Sequence, residues 1–407
     1  MPDRSLLVAL SALAVGTLAG ASPAVAGAHR VADVVLTVGT TTGGACNAQD
    51  ESTCELVRIQ VELGATPTVR SFATLVGKDE VGASGSVPVE PAVSPDGARL
   101  AWLERTGKSW QLWARALKDD RPHLMVKSGP PKEGGAGYKP EWPAWLDADT
   151  LLFDAKTADD GDVELKTIFS MEVGNLASPG TPQRRFGAGV DSSTGLQDVN
   201  VRATAGGVEA VTFGPTSGGK FSLDVRTLDG LGRVGATSPI VVPRGVNRAG
   251  KELEACHHPA WSPSGASIVC QAHRPSETVD GMETKVLYRY ARDAAGGFAS
   301  AGVAFTPVSP TAAGLDAAAL LGPAAGCKTL TYKYAEYCRS DDWLVTTLYC
   351  SQGATGSGRG AVVGASRVLL VEAATSRYVD VTRLVEQQRG LKVGGLSSFT
   401  GTCRGME

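Results

Sequence analysis

A hairpin unit recurs along the chain and limits what it can fold into. Copies lie at Glu90–Glu104 (EPAVSPDGARLAWLE), Tyr138–Ala155 (YKPEWPAWLDADTLLFDA), Val199–Gly214 (VNVRATAGGVEAVTFG) and His257–Ala272 (HHPAWSPSGASIVCQA). A more divergent copy lies at Tyr334–Cys350 (YAEYCRSDDWLVTTLYC). Each reads as an apolar strand, a tight turn and a second apolar strand, followed by a third and a fourth strand across loops. With glycine at 50 residues and few aromatics, the chain favours turns and short strands over long helices.

Turn chemistry supports the reading. In Ser94-Pro95-Asp96-Gly97, proline presets φ at the first corner, aspartate caps its own backbone, and glycine takes the left-handed position. Ser262-Pro263-Ser264-Gly265 repeats the device, and Ala148-Asp149 and Ser340-Asp341-Asp342 are looser versions. The second strands, such as Leu151-Leu152-Phe153 and Ser267-Ile268-Val269, suit burial on both faces between neighbouring units. Third strands also match: Leu112–Arg115, Leu223–Arg226, Leu287–Tyr290 and Val368–Val371.

The run of a small or aromatic residue, Ser-Pro-Asp/Ser-Gly, two residues and an apolar strand resembles the TolB-type, WD40-like (PD40) propeller repeat. Glu90–Trp102 and His258–Val269 carry it fully, and Tyr138–Phe153 in part. The resemblance implies an all-β fold, a single β-propeller of four-stranded blades. TolB itself carries an α/β domain before its propeller. Here strand-like sequence already begins at Val31, which argues against a Tol–Pal role.

The five hairpins start five blades. Ala32–Val38, Glu55–Leu63 and Thr68–Val76 supply three strands of another, and Gly394–Cys403 (GGLSSFTGTC) is placed to complete it. A ring closed by both chain ends protects its strand edges, which gives six blades. The long Ala295–Lys328 segment, read as an Ala/Gly/Pro-rich insertion on one rim, leaves five or seven open. Leu384–Gln388 reads as a short helical turn.

Residues 1–26 read as a signal peptide: Arg4, an apolar stretch from Leu6 to about Gly20, then Ala24-Val25-Ala26 as a small-x-small cleavage site. The propeller then occupies residues 27–407 of an exported protein, periplasmic or extracellular. The apolar stretch is short of the roughly 20 residues that span a bilayer, and no membrane span is expected in the mature chain. Eight cysteines (Cys46, Cys54, Cys256, Cys270, Cys327, Cys338, Cys350 and Cys403) fit disulfides in an exported chain. Cys46 and Cys54, around a short polar loop, are the expected local pair, and no CxxC occurs. A net charge of −3 leaves no basic excess to neutralise phosphates, so nucleic acid is not an expected partner.

Three of the five histidines lie in one hairpin, where His257, His258, Gln271 and His273 form a candidate metal or ligand group. A plain pairing sets His258 opposite Gln271 and Cys256 opposite His273. A bulge at Gly265 sets His257 opposite Gln271 instead. The His/Gln composition is similar to that of oligogalacturonate lyases, which implies a divalent metal; the alternative is strand-end residues beside disulfides. Trp142 and Trp145, separated by Pro143, are the expected exposed aromatic pair, a platform for a glycan. Asp159-Asp160-Gly161-Asp162 with Glu164 departs from EF-hand spacing and reads as a turn. Gly356–Gly360 lacks the phosphate-loop pattern, and no G-x-S-x-G occurs.

The resulting expectation is a monomeric, non-catalytic binding or scaffold propeller without a cofactor, whose partner is an envelope or extracellular protein or a glycan. The second expectation is a metal-dependent polysaccharide lyase or hydrolase centred on the fifth-blade histidines.

Overall fold

The fold is a six-bladed β-propeller, seen in a computed structural model. The structure describes residues 30–40, 54–77, 80, 87–106, 109–118, 121–127, 139–160, 163–187, 190, 196–215, 221–235, 240–242, 256–279, 282–298, 303–305, 329–351, 366–375 and 377–406. The expected signal peptide (residues 1–26), residues 356–360 and most of the segment read as an insertion (residues 295–328) lie outside them.

The described strands form six four-stranded antiparallel sheets. Blade 1 contains β1 (Val31–Thr40), β2 (Glu55–Glu62) and β3 (Thr68–Val76). Blade 2 contains β4 (Val87–Val93), β5 (Arg99–Thr106), β6 (Ser109–Ala116) and β7 (His123–Lys127). Blade 3 follows with β8 (Pro140–Trp145), β9 (Thr150–Asp160), β10 (Val163–Glu172) and β11 (Gln183–Gly187). Blade 4 has β12 (Gln197–Thr204), β13 (Gly207–Pro215), β14 (Phe221–Leu228) and β15 (Ile240–Val242). Blade 5 has β16 (Cys256–Trp261), β17 (Ser267–Val279), β18 (Met282–Ala291) and β19 (Val303–Phe305). Blade 6 has β20 (Thr329–Tyr337), β21 (Trp343–Ser351), β22 (Ser366–Glu372) and β23 (Tyr378–Asp380), then the helix α1 (Val381–Gln388). The C-terminal β24 (Leu396–Met406) returns to pair with β1 and completes blade 1. The innermost strands β24, β4, β8, β12, β16 and β20 follow one another around the axis.

Apolar burial lies between blades, with one buried cluster for each neighbouring pair. Val35 and Leu56 of blade 1 meet Leu100 and Trp102 of blade 2. Leu103 and Leu112 meet Leu151 and Phe153 of blade 3, whereas Leu152 faces the other way, to Ala210 of blade 4. Phe213 and Val225 meet Ile268 and Tyr288, and Val269 and Leu287 meet Leu344 and Leu369. Each second strand therefore feeds two interfaces, which is why its sequence is apolar at consecutive positions.

The seam between the last and first blades carries extra fastening. Val345, Leu370, Val381 and Val385 pack against Val34, Leu36 and Ile59. Asp380 caps α1 by accepting from the Arg383 N–H at 2.8 Å. Buried Glu386 pairs with buried Arg367 (2.9 Å) and accepts the Leu396 N–H (3.1 Å) at the start of β24. The disulfide Cys338–Cys403 ties the end of β20 to β24.

Both Ser-Pro-x-Gly turns fold alike. Ser94 Oγ accepts from the Arg99 N–H (2.9 Å), and Ser262 Oγ from the Ser267 N–H (3.0 Å). Gly97 and Gly265 take φ of 69° and 74°, the left-handed region the turn requires. An inner-strand arginine of the preceding blade packs on each turn: Arg404 donates to Gly97 O (2.8 Å), and Arg202 lies on Gly265. Asp33 and Glu209 hold these two guanidiniums.

Candidate functional site

Every inner strand breaks register midway. In β4 the shift falls between Val89 and Ala92, in β8 between Glu141 and Ala144, and in β12 between Gln197 and Asn200. In β16 it falls between His257 and Ala260, and in β20 between Lys333 and Glu336. Within these bulges Glu90, Trp142, Asp198, His258 and Tyr334 adopt left-handed φ of 49° to 58°. A non-glycine residue is strained there, and repeated strain at equivalent positions marks a place where side chains must be aimed. Thr400 fills the corresponding place in β24, where the pairing with β1 also shifts.

These side chains bind the blades to one another. Thr400 Oγ1 accepts from the Glu90 N–H (3.0 Å), Glu90 Oε2 from the Trp142 N–H (3.1 Å), and Asp198 Oδ2 from the His258 N–H (3.2 Å). An indole cannot accept, so Trp142 cannot serve the next blade. Asp154 of β9 takes over and accepts from the Asp198 N–H at 2.8 Å.

Three aromatic rings converge above this network. Trp142 and His258 have centroids 4.0 Å apart, His258 and Tyr334 4.8 Å, and Trp142 and Tyr334 5.1 Å. With Glu90 and Asp198, these rings line a cavity of about 400 Å³ whose wall also includes Pro91, Pro143, Pro259 and Asn200, with Arg202 and Arg339 farther along it. The wall follows the inner strands from their bulges into the Ser-Pro-x-Gly turns.

The floor is rich in carboxyls. Burial, reinforced by Glu141, Asp154 and Asp198, pushes the Glu90 carboxyl up to about 8. Burial raises Asp154 to about 7 and Asp198 to about 6, against the pull of Lys166. Lys166 bonds Glu141 and lies 3.7 Å from Asp154; those carboxylates keep its ammonium charged despite burial. Glu336, also on the wall, is raised by burial to about 7.

The structure separates the fifth-blade group. His258 faces the channel, whereas His257 packs on Phe213 of blade 4 at 4.2 Å. Gln271 is buried opposite His257; His273 stands farther along β17 at the register position opposite Lys285 of β18, and its side chain lies outside the described residues. The His257–Gln271 pairing arises from a bulge at His258-Pro259, not at Gly265, and Cys256 faces Ala272, not His273. Cys256 and Cys270 form a disulfide. No group of three or more His, Cys, Asp or Glu placed to hold a metal occurs among the described residues.

Of the expected exposed aromatic pair, Trp142 faces the channel but Trp145 is 5% exposed. Its indole N–H donates to Ala92 O (2.9 Å), so it seals the blade 2–3 interface and forms no surface platform. Cys54 is disulfide-bonded, while Cys46 and Cys327 lie outside the described residues, as does the Cys350 side chain. The acidic run ends β9 and begins β10, and its side chains lie outside the described residues. No described helix is long and apolar enough to cross a membrane.

Glu90, Asp198 and Tyr334 escaped the sequence reading. A partial signal exists: Glu90, Trp142 and His258 each precede Pro-Ala and then Val or Trp. Asp198, Tyr334 and Thr400 lack that tripeptide and are equivalent only by position in the ring.

No protein-family model and no curated protein matches the sequence. Among solved structures the chain is similar to TolB from Acinetobacter baumannii, with 14% identity and a TM-score of 0.47; 86% of this chain and 62% of that one are covered. It thus spans less than two thirds of that protein. A structure described as TolB from Agrobacterium tumefaciens gives 13% identity and a TM-score of 0.47, covering 87% of this chain and 89% of the other. The GH43 endo-arabinanase from Bacillus licheniformis gives 10% identity and 0.41, covering 71% and 96%. These are likenesses of shape, and no residue role is carried over from them.

Proposed function

We propose that the protein is an exported, non-catalytic binding propeller that receives part of an envelope protein or a glycan in its channel cavity. One observation carries this reading: a cavity of about 400 Å³ ends on a floor of strained bulge residues linked from blade to blade. Such a floor is preorganised, so little ordering is needed on binding. Mixed lining by prolines, aromatic rings and a few polar groups is typical of ligand sites.

The test is affinity capture from solubilised envelope, with glycan screening in parallel, comparing the wild type with Ala203→Trp. Ala203 is exposed and lies on the cavity wall, so the indole obstructs the mouth without disturbing a core. A stoichiometric partner or glycan retained by the wild type and lost by Ala203→Trp is the expected result. Equal retention by both, or no ligand in either screen, overturns the reading.

A further inference from the structure

Glu90 and Asp198 each spend one carboxylate oxygen on the N–H of the next inner strand. Their other oxygens, Glu90 Oε1 and Asp198 Oδ1, make no hydrogen bond among the described residues, and both side chains line the cavity. Asp198 is only 4% exposed, so this uncommitted oxygen has little besides the cavity to face. The neighbouring carboxyls are differently placed. Glu141 is paired with Lys166 and Lys139, and Asp154 lies within 3.7 Å of Lys166. No lysine or arginine forms an ion pair with Glu90 or Asp198 among the described residues; the imidazole of His258 lies 3.3 Å from Asp198 Oδ2, and Lys166 attracts Asp198 from beyond ion-pair distance.

We propose that the cavity floor receives an ammonium or guanidinium group at the end of an apolar stem, namely a lysine or arginine side chain of a protein partner. This rests on the binding reading above and names the chemistry of the occupant. The two open carboxylate oxygens supply charge-assisted acceptors. The rings of Trp142 and Tyr334 add faces that attract a cation. Pro91, Pro143 and Pro259, which follow the bulge in three blades, present aliphatic walls to the stem. A bound cation also relieves the repulsion among Glu90, Glu141, Asp154 and Asp198. Because burial keeps Glu90 protonated up to about 8, its ionisation on binding releases a proton. Of the two arginines on the cavity wall, Arg202 is paired with Glu209, and Arg339 is turned to the Ser94 carbonyl, to which it donates.

Calorimetric titration of the purified protein with N-acetyl-lysine methylamide tests this, with N-acetyl-norleucine methylamide as the neutral isostere. The lysine probe should bind about tenfold tighter or more, the factor that hydrogen bonds to charged groups provide. At pH 7 its apparent enthalpy should differ between buffers of different ionisation enthalpy, reporting the released proton. Asp198→Asn and Glu90→Gln keep an acceptor for the neighbouring N–H and should each lower the preference for lysine over norleucine. Equal binding of the two probes, no binding of either to folded protein, or a preference unchanged in both variants overturns the inference. A captured partner with no lysine preference leaves the binding reading standing and removes this one. A lysine preference without any partner does the reverse.

Discussion

Closing a propeller asks one strand to join blade 1 from the far end of the chain, and Cys338–Cys403 is placed to hold it. The bond encloses 65 residues, against 14 for Cys256–Cys270, which staples two strands already joined by a turn. Restricting the unfolded chain over such loops is worth about 4 kcal/mol for the first and about 3 kcal/mol for the second. Location widens the gap. Losing Cys256–Cys270 leaves β16 and β17 paired by their ladder, whereas losing Cys338–Cys403 removes the covalent tie between β24 and blade 6 and leaves only side-chain bonds and apolar packing there. Double alanine variants at each pair, unfolded in urea, should place the Cys338/Cys403 variant at the lower midpoint. Native-state hydrogen exchange should then show faster exchange in β24 and in the β1 amides that face it. Equal midpoints, a lower midpoint for the Cys256/Cys270 variant, or unchanged exchange in β24 would refute the seam argument.

Three further outcomes are expected. Glu386→Ala removes the buried carboxylate 2.9 Å from Arg367, leaving Asp380 at 3.8 Å, and the acceptor of the Leu396 N–H, and should cost about 3–5 kcal/mol; Arg367→Met with Glu386→Leu should recover much of it in the same urea assay. Gly265→Ala drives a methyl into the Arg202 guanidinium in a residue at φ 74°, so thermal unfolding should show both a clash and a backbone cost of about 1–2 kcal/mol. Adding Arg202→Ala should remove the clash alone, leaving the backbone cost. The third outcome concerns pH. Burial, with Glu141, Asp154 and Asp198 nearby, raises the Glu90 carboxyl to about 8, so the folded state keeps a proton the unfolded chain has released. The resulting penalty is absent below the ordinary carboxylate range, grows as pH rises, and is complete above about pH 8. Thermal midpoints of Glu90→Gln should therefore fall less than those of the wild type between about pH 5 and 8; parallel profiles would contradict this.

Much of the architecture is legible in the chain because its causes are local. Ser94–Gly97 and Ser262–Gly265 fold as tight turns through bonds that span only a few residues. Leu151-Leu152-Phe153 is apolar at every position because a strand between two blades is buried on both faces. Ring closure follows from counting strands at the two ends, and β24 lies where that count requires it.

The candidate site belongs to the tertiary structure. Glu90 and Trp142 are 52 residues apart, Asp198 and His258 60, and Glu90 and Thr400 310, yet each pair is joined by one hydrogen bond. His257 and His258 are neighbours in sequence but face different surroundings, because a bulge turns one to the axis and leaves the other against Phe213. Trp142 and Trp145 part in the same way. A sequence records which residues can form a strand and a turn. Only the closed ring fixes which side chain of each inner strand reaches the axis, because that depends on a bulge and on the carboxylates and hydroxyls that adjoining blades present to it.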